Sequence, residues 1–181
     1  MSERNDQLKG LIQTGQIDRA IDMVRNTTNY HEGEGFVFTV LYEEKSEPEL
    51  VEAALEAFLK CRENCYGQHG YWVHSLSHFT ELLWERRMDK WIKKFNEVAF
   101  TGANELGDSR CSLRLVVNFS RFAKFNDDPA DFGITNESLR WAHKSEWEYP
   151  LYAYAKKRFD AGRFESEEVF LKWKITAEKS S

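Results

Sequence analysis

Two cysteines and two histidines near the middle of the chain have a spacing that could hold a zinc ion. Cys61 and Cys65 form a C-x3-C pair, and His74 and His78 form an H-x3-H pair further along. Thiolates and imidazoles are the usual ligands of tetrahedral zinc, so a helical hairpin could bring the two pairs together. Both cysteines, however, fall on the same helical stripe as a series of apolar residues upstream. We therefore predict that they are buried core thiols, as unpaired cysteines commonly are.

Imidazoles and carboxylates also recur along one face of a predicted helix. His74, His78, Glu81 and Glu85 are spaced four, three and four residues apart, which places them on one side of a helix. Helical bundles use such side chains to bind metals, although a solvated helix face has the same pattern. One hypothesis is therefore a metal-dependent helical-bundle enzyme in which His74, His78 and Glu81 bind a divalent transition metal such as zinc.

The segment from His74 to Glu81 is similar to the H-x3-H segment of the DinB-like metal-dependent helical bundles. That resemblance implies a further histidine ligand on another helix. The remaining histidines of the chain are His31, His69 and His143. A metal site of this kind therefore requires one of these three to lie beside the pair.

A run of basic residues with two tryptophans follows this face. Its members are Arg86, Arg87, Lys90, Lys93 and Lys94, with Trp84 and Trp91 interleaved. Aromatic rings beside cations can stack on bases and contact phosphates, so a nucleic-acid-associated accessory protein is a further hypothesis. A net acidic chain disfavours nucleic acid as the partner. We predict instead that Arg86, Arg87, Lys90 and Lys94 are exposed and dock an acidic surface of another protein.

No other segment carries a known catalytic or binding motif. The acidic stretch at 126–133 does not follow the calcium-loop register, because Pro129 occupies a ligand position and no glutamate stands at the twelfth. It is predicted to be a turn whose acids cap helices. The sequence contains no phosphate-binding glycine loop, nucleophile elbow or HExxH segment. It therefore favours a protein without a cofactor.

Composition and charge narrow the class of protein. Of the 181 residues, 41% are hydrophobic and 14% aromatic, which is enough to bury a core and excludes disorder along the whole chain. The 25 basic and 30 acidic residues give a net charge of −5. No apolar run is typical of a membrane span or a signal peptide. Three cysteines, an odd number, are expected to be reduced, which favours a cytoplasmic protein.

Helical periodicity and few breakers predict an all-α fold. Three prolines and ten glycines leave long stretches uninterrupted. We expect a compact multi-helix bundle or a set of irregular helical hairpins, forming a single domain over 1–181. An N-terminal hairpin is expected at 6–26 and a C-terminal hairpin at 150–174, whose first helix would begin at Pro150. A further helix is expected at 135–143.

One segment could be a strand instead of a helix. Residues 36–42 are rich in β-branched and aromatic side chains. The only plausible partner strand is 112–119, whose apolar residues continue at helical spacing. We therefore prefer a buried helix at 36–44, preceded by a loop at 26–35. A minor two-stranded element formed by 36–42 and 112–119 is the alternative.

A long central helix is expected at 71–100, followed by a loop at 101–108. The apolar face of its first half comprises Trp72, Leu76, Phe79 and Leu83, and that of its second half comprises Trp84, Met88, Trp91 and Phe95. Between the two halves this face rotates by roughly 120°. The helix is therefore expected either to bend near Trp84 or to pack on two different neighbours.

Together these patterns favour a cytoplasmic protein-protein interaction or adaptor protein with no catalytic activity of its own. The abundance of tyrosine and tryptophan agrees with this, because both are enriched at interfaces. The expected partner is another protein with an acidic surface, and no membrane is involved. The metal-dependent enzyme and the nucleic-acid-associated protein are the alternatives.

Overall fold

Helices make up the secondary structure of this protein. A computed structural model describes residues 3–64, 69–140 and 142–162. Within these ranges the chain forms eight α-helices, two short 3₁₀ helices and no strand, which confirms the predicted all-α class. Residue contacts divide the chain into two compact units, Met1–Trp72 and Val73–Ser181. A single domain over the whole chain stays a prediction.

The first unit packs four helices around an apolar core. They are α1 (Glu3–Gln13), α2 (Ile17–Arg25), α3 (Tyr30–Tyr42) and α4 (Pro48–Lys60), with a 3₁₀ helix (Cys61–Asn64) after α4. Helices α1 and α2 form a hairpin in which Gly15, with φ of 73°, ends α1. Helix α4 packs on α2 and α3, and α1 packs on α3. The largest fully buried side chains here include Leu8, Ile12, Phe36, Leu50 and Phe58.

Helix α3 begins earlier than the sequence predicts. The buried helix preferred at 36–44 is confirmed, but the expected loop at 26–35 is wrong, because α3 starts at Tyr30 after an Asn29 cap. The glycines that suggested a loop permit close packing instead: a Cβ on Gly33 would lie 3.1 Å from the Cys61 sulfur. The alternative two-stranded element is also wrong, since its second segment lies in a helix as well.

The second unit contains the other helices and an aromatic core. They are α5 (His69–Glu85, which begins within the first unit), α6 (Asp89–Leu106), α7 (Ser109–Phe122), a 3₁₀ helix (Pro129–Phe132) and α8 (Lys144–Asp160). Helix α7 packs on α6 and α8. At the centre, the Phe119 ring lies 5.8 Å from Trp84, 6.0 Å from Phe132 and 4.7 Å from Tyr154, measured between ring centroids.

The predicted long helix at 71–100 is wrong, because the chain breaks between α5 and α6. Arg87 adopts a left-handed conformation with φ of 51°. Its N–H donates to the Trp84 carbonyl at 3.1 Å, and the Met88 N–H donates to the Leu83 carbonyl at 3.1 Å. These two bonds form a Schellman motif, which satisfies the last carbonyls of a helix. The break explains the rotation of the apolar face, since each half is a separate helix.

Burial along α5 and α6 follows the predicted faces except at Met88, which is only half-buried at the break between the helices. Trp72, Leu76, Phe79 and Leu83 on α5 and Trp91 and Phe95 on α6 are almost entirely inaccessible. The expected loop at 101–108 is wrong, because α6 continues to Leu106 and ends at Gly107. Gly102 lies inside the helix, where a Cβ would come within 2.5 Å of a Val73 methyl group. Close helix packing therefore explains this glycine.

Two predictions near the C-terminal end of the second unit are also wrong. Residues 136–140 form turns instead of the predicted helix. Helix α8 begins at Lys144, so Pro150 lies inside it and does not start it. A proline inside a helix costs about 3 kcal/mol, and burial of Leu151 and Tyr154 offsets that cost. The second half of the expected hairpin at 150–174 lies outside the described residues.

Candidate functional site

Two imidazoles converge on the exposed side of α5. The Nε2 atoms of His74 and His78 lie 3.1 Å apart, and the Arg114 Nη1 atom on α7 lies 2.6 Å from the His78 Nε2 atom. Glu81 turns to Arg121 of α7, with 3.0 Å between Oε1 and Nη1. The structure thus joins the two histidines to a guanidinium group. Among the described residues, no three His, Cys, Asp or Glu side chains are grouped to hold a metal ion.

The structure describes three of the other candidate zinc ligands, Cys61, His31 and His143. Cys61 is buried and its thiol donates to a backbone carbonyl one turn earlier at 3.3 Å, which confirms the predicted core thiol. Cys65 and the side chain of His69 lie outside the described residues. His31 belongs to α3 of the first unit, and His143 precedes α8.

Arg87 is half-buried and forms ion pairs within the protein, whereas the sequence predicts an exposed docking residue. Its guanidinium donates to both carboxylate oxygens of Asp127, at 2.9 and 3.3 Å, and to Asp89 at 3.1 Å. It also lies over the rings of Trp84 and Phe132, at 5.3 and 5.6 Å from the centroids. The hydrogen bonds that Arg87 donates to Asp127 raise the pKa of Arg87 above its ordinary value. Arg87 therefore stabilises the break between α5 and α6.

The lysines of the basic run lie at the start of α6 and form what we call the cationic surface: Lys90, Lys93 and Lys94. All three are exposed, and the Nζ atoms of Lys90 and Lys94 lie 5.4 and 4.9 Å from the Trp91 ring centroid. Within the described part of the chain, neither Lys93 nor Lys94 forms an ion pair. Arg86 is exposed too, and it donates to a carbonyl of α5 at 3.3 Å.

A long cleft adjoins the cationic surface, and we call it the α6 cleft. Its volume is about 1040 Å³. One wall is α6 from Lys93 to Leu106, and the other is the segment from Ala130 to Arg140. At 1.5 Å per residue, the α6 wall is about 20 Å long, which matches about six residues of extended chain. Lys93 belongs both to the cleft and to the cationic surface.

Two asparagines of α6 hold the opposite wall in place. The side-chain amide of Asn96 donates to the Phe132 carbonyl at 2.8 Å, and that of Asn104 donates to the Ser138 carbonyl at 3.2 Å. Gly133 brings this wall close to α6, since a Cβ there would lie 2.9 Å from the Glu97 side chain. The width of the cleft is therefore set by direct bonds between its walls.

The cleft presents a mixture of charged and apolar groups. Its lining includes two cations and three carboxylates, namely Lys93, Arg140, Glu97, Glu105 and Glu137. Leu106 lies at the opposite end of the cleft from Lys93. Its side chain is 45% exposed, although large apolar side chains are usually buried. A ligand of matching character would place acidic groups at the lysine end and an apolar group at the Leu106 end.

The acidic stretch at 126–133 is a structural turn. Asp128 caps the 3₁₀ helix by accepting from the Ala130 N–H at 2.9 Å. The Tyr154 hydroxyl donates to the Lys124 carbonyl at 2.8 Å and also to the Asp127 carbonyl. Burial raises the pKa of Tyr154 to about 12, so the hydroxyl keeps its proton and remains a donor. These capping roles agree with the predicted turn.

The sequence patterns did not reveal the α6 cleft. The hydrogen bonds between its walls join residues 36 and 34 positions apart, and Asn96 and Asn104 are ordinary polar residues in a helical pattern. Their spacing of eight residues, just over two turns, puts both on one side of α6 and is the only sequence signal for the anchored wall.

None of the described helices combines the length and the apolar character needed to cross a bilayer. Comparison of the chain with family models, curated proteins and solved structures finds no match.

Proposed function

We propose that this protein is a cytoplasmic, non-catalytic binding protein that takes up an extended segment of a partner protein in the α6 cleft. The partner segment places acidic residues on the cationic surface and an apolar residue near Leu106. The observation that carries the proposal is the continuity of an open cleft of about 1040 Å³ with exposed lysines. Recognition of an acidic motif by clustered cations is one established way in which a protein binds a segment of its partner.

The charges of Lys93 and Lys94 support an acidic partner. Both are exposed and have no carboxylate partner among the described residues. Such rim charges act mainly on the rate of association and on specificity. Arg87 plays no part in this docking, because Asp127 and Asp89 already neutralise it.

The two tryptophans of the basic run are buried in the core. Trp84 and Trp91 are 1% and 2% exposed, so their rings are covered and cannot stack on bases. This disfavours the nucleic-acid hypothesis, which needs exposed aromatic platforms. Because these two rings belong to the core, they also do not support a protein interface at the basic run. The proposal therefore depends on the cleft and its lysines alone.

Selection from a displayed library of random eight-residue peptides tests this function. We expect the full-length protein to enrich peptides with acidic residues at one end and an apolar residue at the other. The double variant Lys93→Glu, Lys94→Glu should bind the enriched peptides at least about tenfold more weakly, equivalent to about 1.4 kcal/mol. Binding should also weaken as salt increases, because exposed charges are screened.

A matched control separates the site from net charge. Lys45→Glu, Lys60→Glu makes the same change of charge at two exposed positions in the first unit, and it should leave peptide binding intact. Circular dichroism checks that both double variants are folded. The proposal is overturned if no peptide is enriched, or if the enriched peptides bind the Lys93, Lys94 variant as well as the wild type.

A further inference from the structure

Three nitrogen-bearing groups meet on the exposed seam between α5 and α7. The His78 Nε2 atom lies 3.1 Å from the His74 Nε2 atom and 2.6 Å from the Arg114 Nη1 atom. A guanidinium group can only donate hydrogen bonds, so His78 must accept here through Nε2 and carry its proton on Nδ1. His74 then donates to the same acceptor. Two donors thus share a single nitrogen lone pair, so the cluster has more hydrogen-bond donors than acceptors.

The surroundings of this cluster are cationic. Arg110, Arg114 and Arg121 are spaced four and seven residues apart on α7, so they share a face of that helix. Glu81, the carboxylate of α5 on this seam, is paired with Arg121 at 3.0 Å. Asp108 lies at the start of α7 and accepts from two backbone N–H groups. A positive charge therefore remains beside the two imidazoles.

A metal ion is the first ligand to consider for two converging imidazoles. With nitrogen–zinc bonds of about 2.05 Å, a separation of 3.1 Å corresponds to an angle of roughly 98° at the metal, which is a normal value. However, the Arg114 guanidinium lies where it would repel a cation, and the described residues offer no third ligand. The two imidazoles are therefore spaced as metal ligands, but the positive charge of Arg114 disfavours a metal ion.

An oxyanion fits both the geometry and the charge. We propose that Arg114, His74 and His78 form a binding site for a phosphoryl group. On binding, the phosphoryl oxygens replace the His78 nitrogen as acceptors. Arg114 and His74 keep their protons, and His78 changes tautomer so that its Nε2–H donates as well. The neutral imidazoles suffice as donors, since Arg114 supplies the charge. This site is independent of the α6 cleft.

Titration of the full-length protein with inorganic phosphate tests the site, with the imidazole resonances followed by NMR spectroscopy. We expect saturable shifts of the His74 and His78 resonances. Arg114→Gln and His78→Ala should each weaken phosphate binding by about tenfold or more, as expected for loss of a charge-assisted hydrogen bond. Arg19→Gln removes an exposed cation from α2 and should leave the affinity unchanged.

Two further arms complete the experiment. A phosphoserine peptide and its unphosphorylated counterpart distinguish a phosphorylated protein from free phosphate as the source of the group. Tighter binding of the phosphopeptide than of phosphate identifies the former, and equal binding identifies the latter. Titration with zinc chloride tests the rival ligand. The proposal is overturned if phosphate causes no saturable shift, or if zinc binds and Arg114→Gln tightens its binding.

Discussion

Arg87 combines an unfavourable backbone conformation with several favourable side-chain contacts. A left-handed φ of 51° costs a residue with a side chain roughly 1–2 kcal/mol. The bidentate pair with Asp127 and the position over Trp84 and Phe132 offset this cost. Only a long, planar cation can make all of these contacts at once. The residue type at this break is therefore explained by side-chain contacts and not by backbone preference.

Replacing Arg87 by alanine is expected to lower the free energy of unfolding by about 2 kcal/mol, because it removes hydrogen bonds to two carboxylates. Arg87→Gly should lose roughly 1 kcal/mol less, since glycine accepts the left-handed conformation. Urea denaturation measures both values. The neighbouring Arg86→Ala is the control and should change stability by less than about 0.5 kcal/mol. Equal effects of the Arg86 and Arg87 substitutions would contradict the assigned role.

Glycines have two different structural roles in the helices of this protein. Gly15 and Gly107 end helices in left-handed conformations, with φ of 73° and 67°. Gly33 and Gly102 lie inside helices, where they allow a neighbouring side chain to approach. In sequence the second kind resembles a loop glycine, so the helices predicted around Gly33 and Gly102 are shorter than α3 and α6. A single sequence does not reveal which neighbour each helical glycine faces.

The substitution Gly102→Ala distinguishes packing from helix propensity. Helix propensity alone predicts that the free energy of unfolding rises by about 1 kcal/mol. The new Cβ would lie 2.5 Å from a Val73 methyl group, and this clash predicts a fall of about 1–3 kcal/mol. We expect the loss, and Val73→Ala in the same chain should recover part of it. Gly10→Ala on α1 has open space around its Cβ and is expected to stabilise the protein. Thermal unfolding of the wild type and these three variants decides between the two effects.

The sequence predicted the helices well and their ends poorly. Periodicity located the buried faces of α5 and α6, because burial of large side chains dominates packing. It missed the break between them, because the usual glycine signal is replaced by Arg87 and its partner Asp127 is forty residues away. It found the convergence of His74 and His78, which is local, but not Arg114, which comes from another helix.

At the scale of the whole molecule, the two units differ in charge. Residues 1–72 contain thirteen acidic and seven basic residues, whereas 73–181 contain seventeen acidic and eighteen basic residues. The net charge of −5 therefore arises entirely from the first unit. The second unit, which holds the α6 cleft and the proposed phosphoryl site, is close to neutral, so its charge does not disfavour an anionic partner.

Alkaline pH should destabilise the folded protein through Cys111. Burial raises the pKa of this thiol from 9.0 to about 11. The folded state therefore holds its proton when the unfolded state has already lost it. The resulting stability is present below pH 9 and is lost as the pH rises toward 11. Between pH 8 and 10.5, the free energy of unfolding of the wild type should fall by about 2 kcal/mol more than that of Cys111→Ala.

Urea denaturation of both proteins across this range measures that difference. Val116→Ala is the control, because it leaves a cavity on the same helix without removing an ionisable group. Its difference from wild type should stay constant with pH. A constant difference for Cys111→Ala as well would show that the thiol does not contribute to alkaline unfolding.

The wall of the α6 cleft formed by Ala130 to Arg140 is anchored through its backbone, so its side chains could vary in evolution. The anchoring bonds from Asn96 and Asn104 end on the carbonyls of Phe132 and Ser138, which every amino acid possesses. Glu137 and Arg140 face the cleft but take no part in those two bonds. Mutation at such positions can therefore change the chemistry of the cleft lining while the wall stays in place, as in antibodies, where variable loops are held on a constant framework.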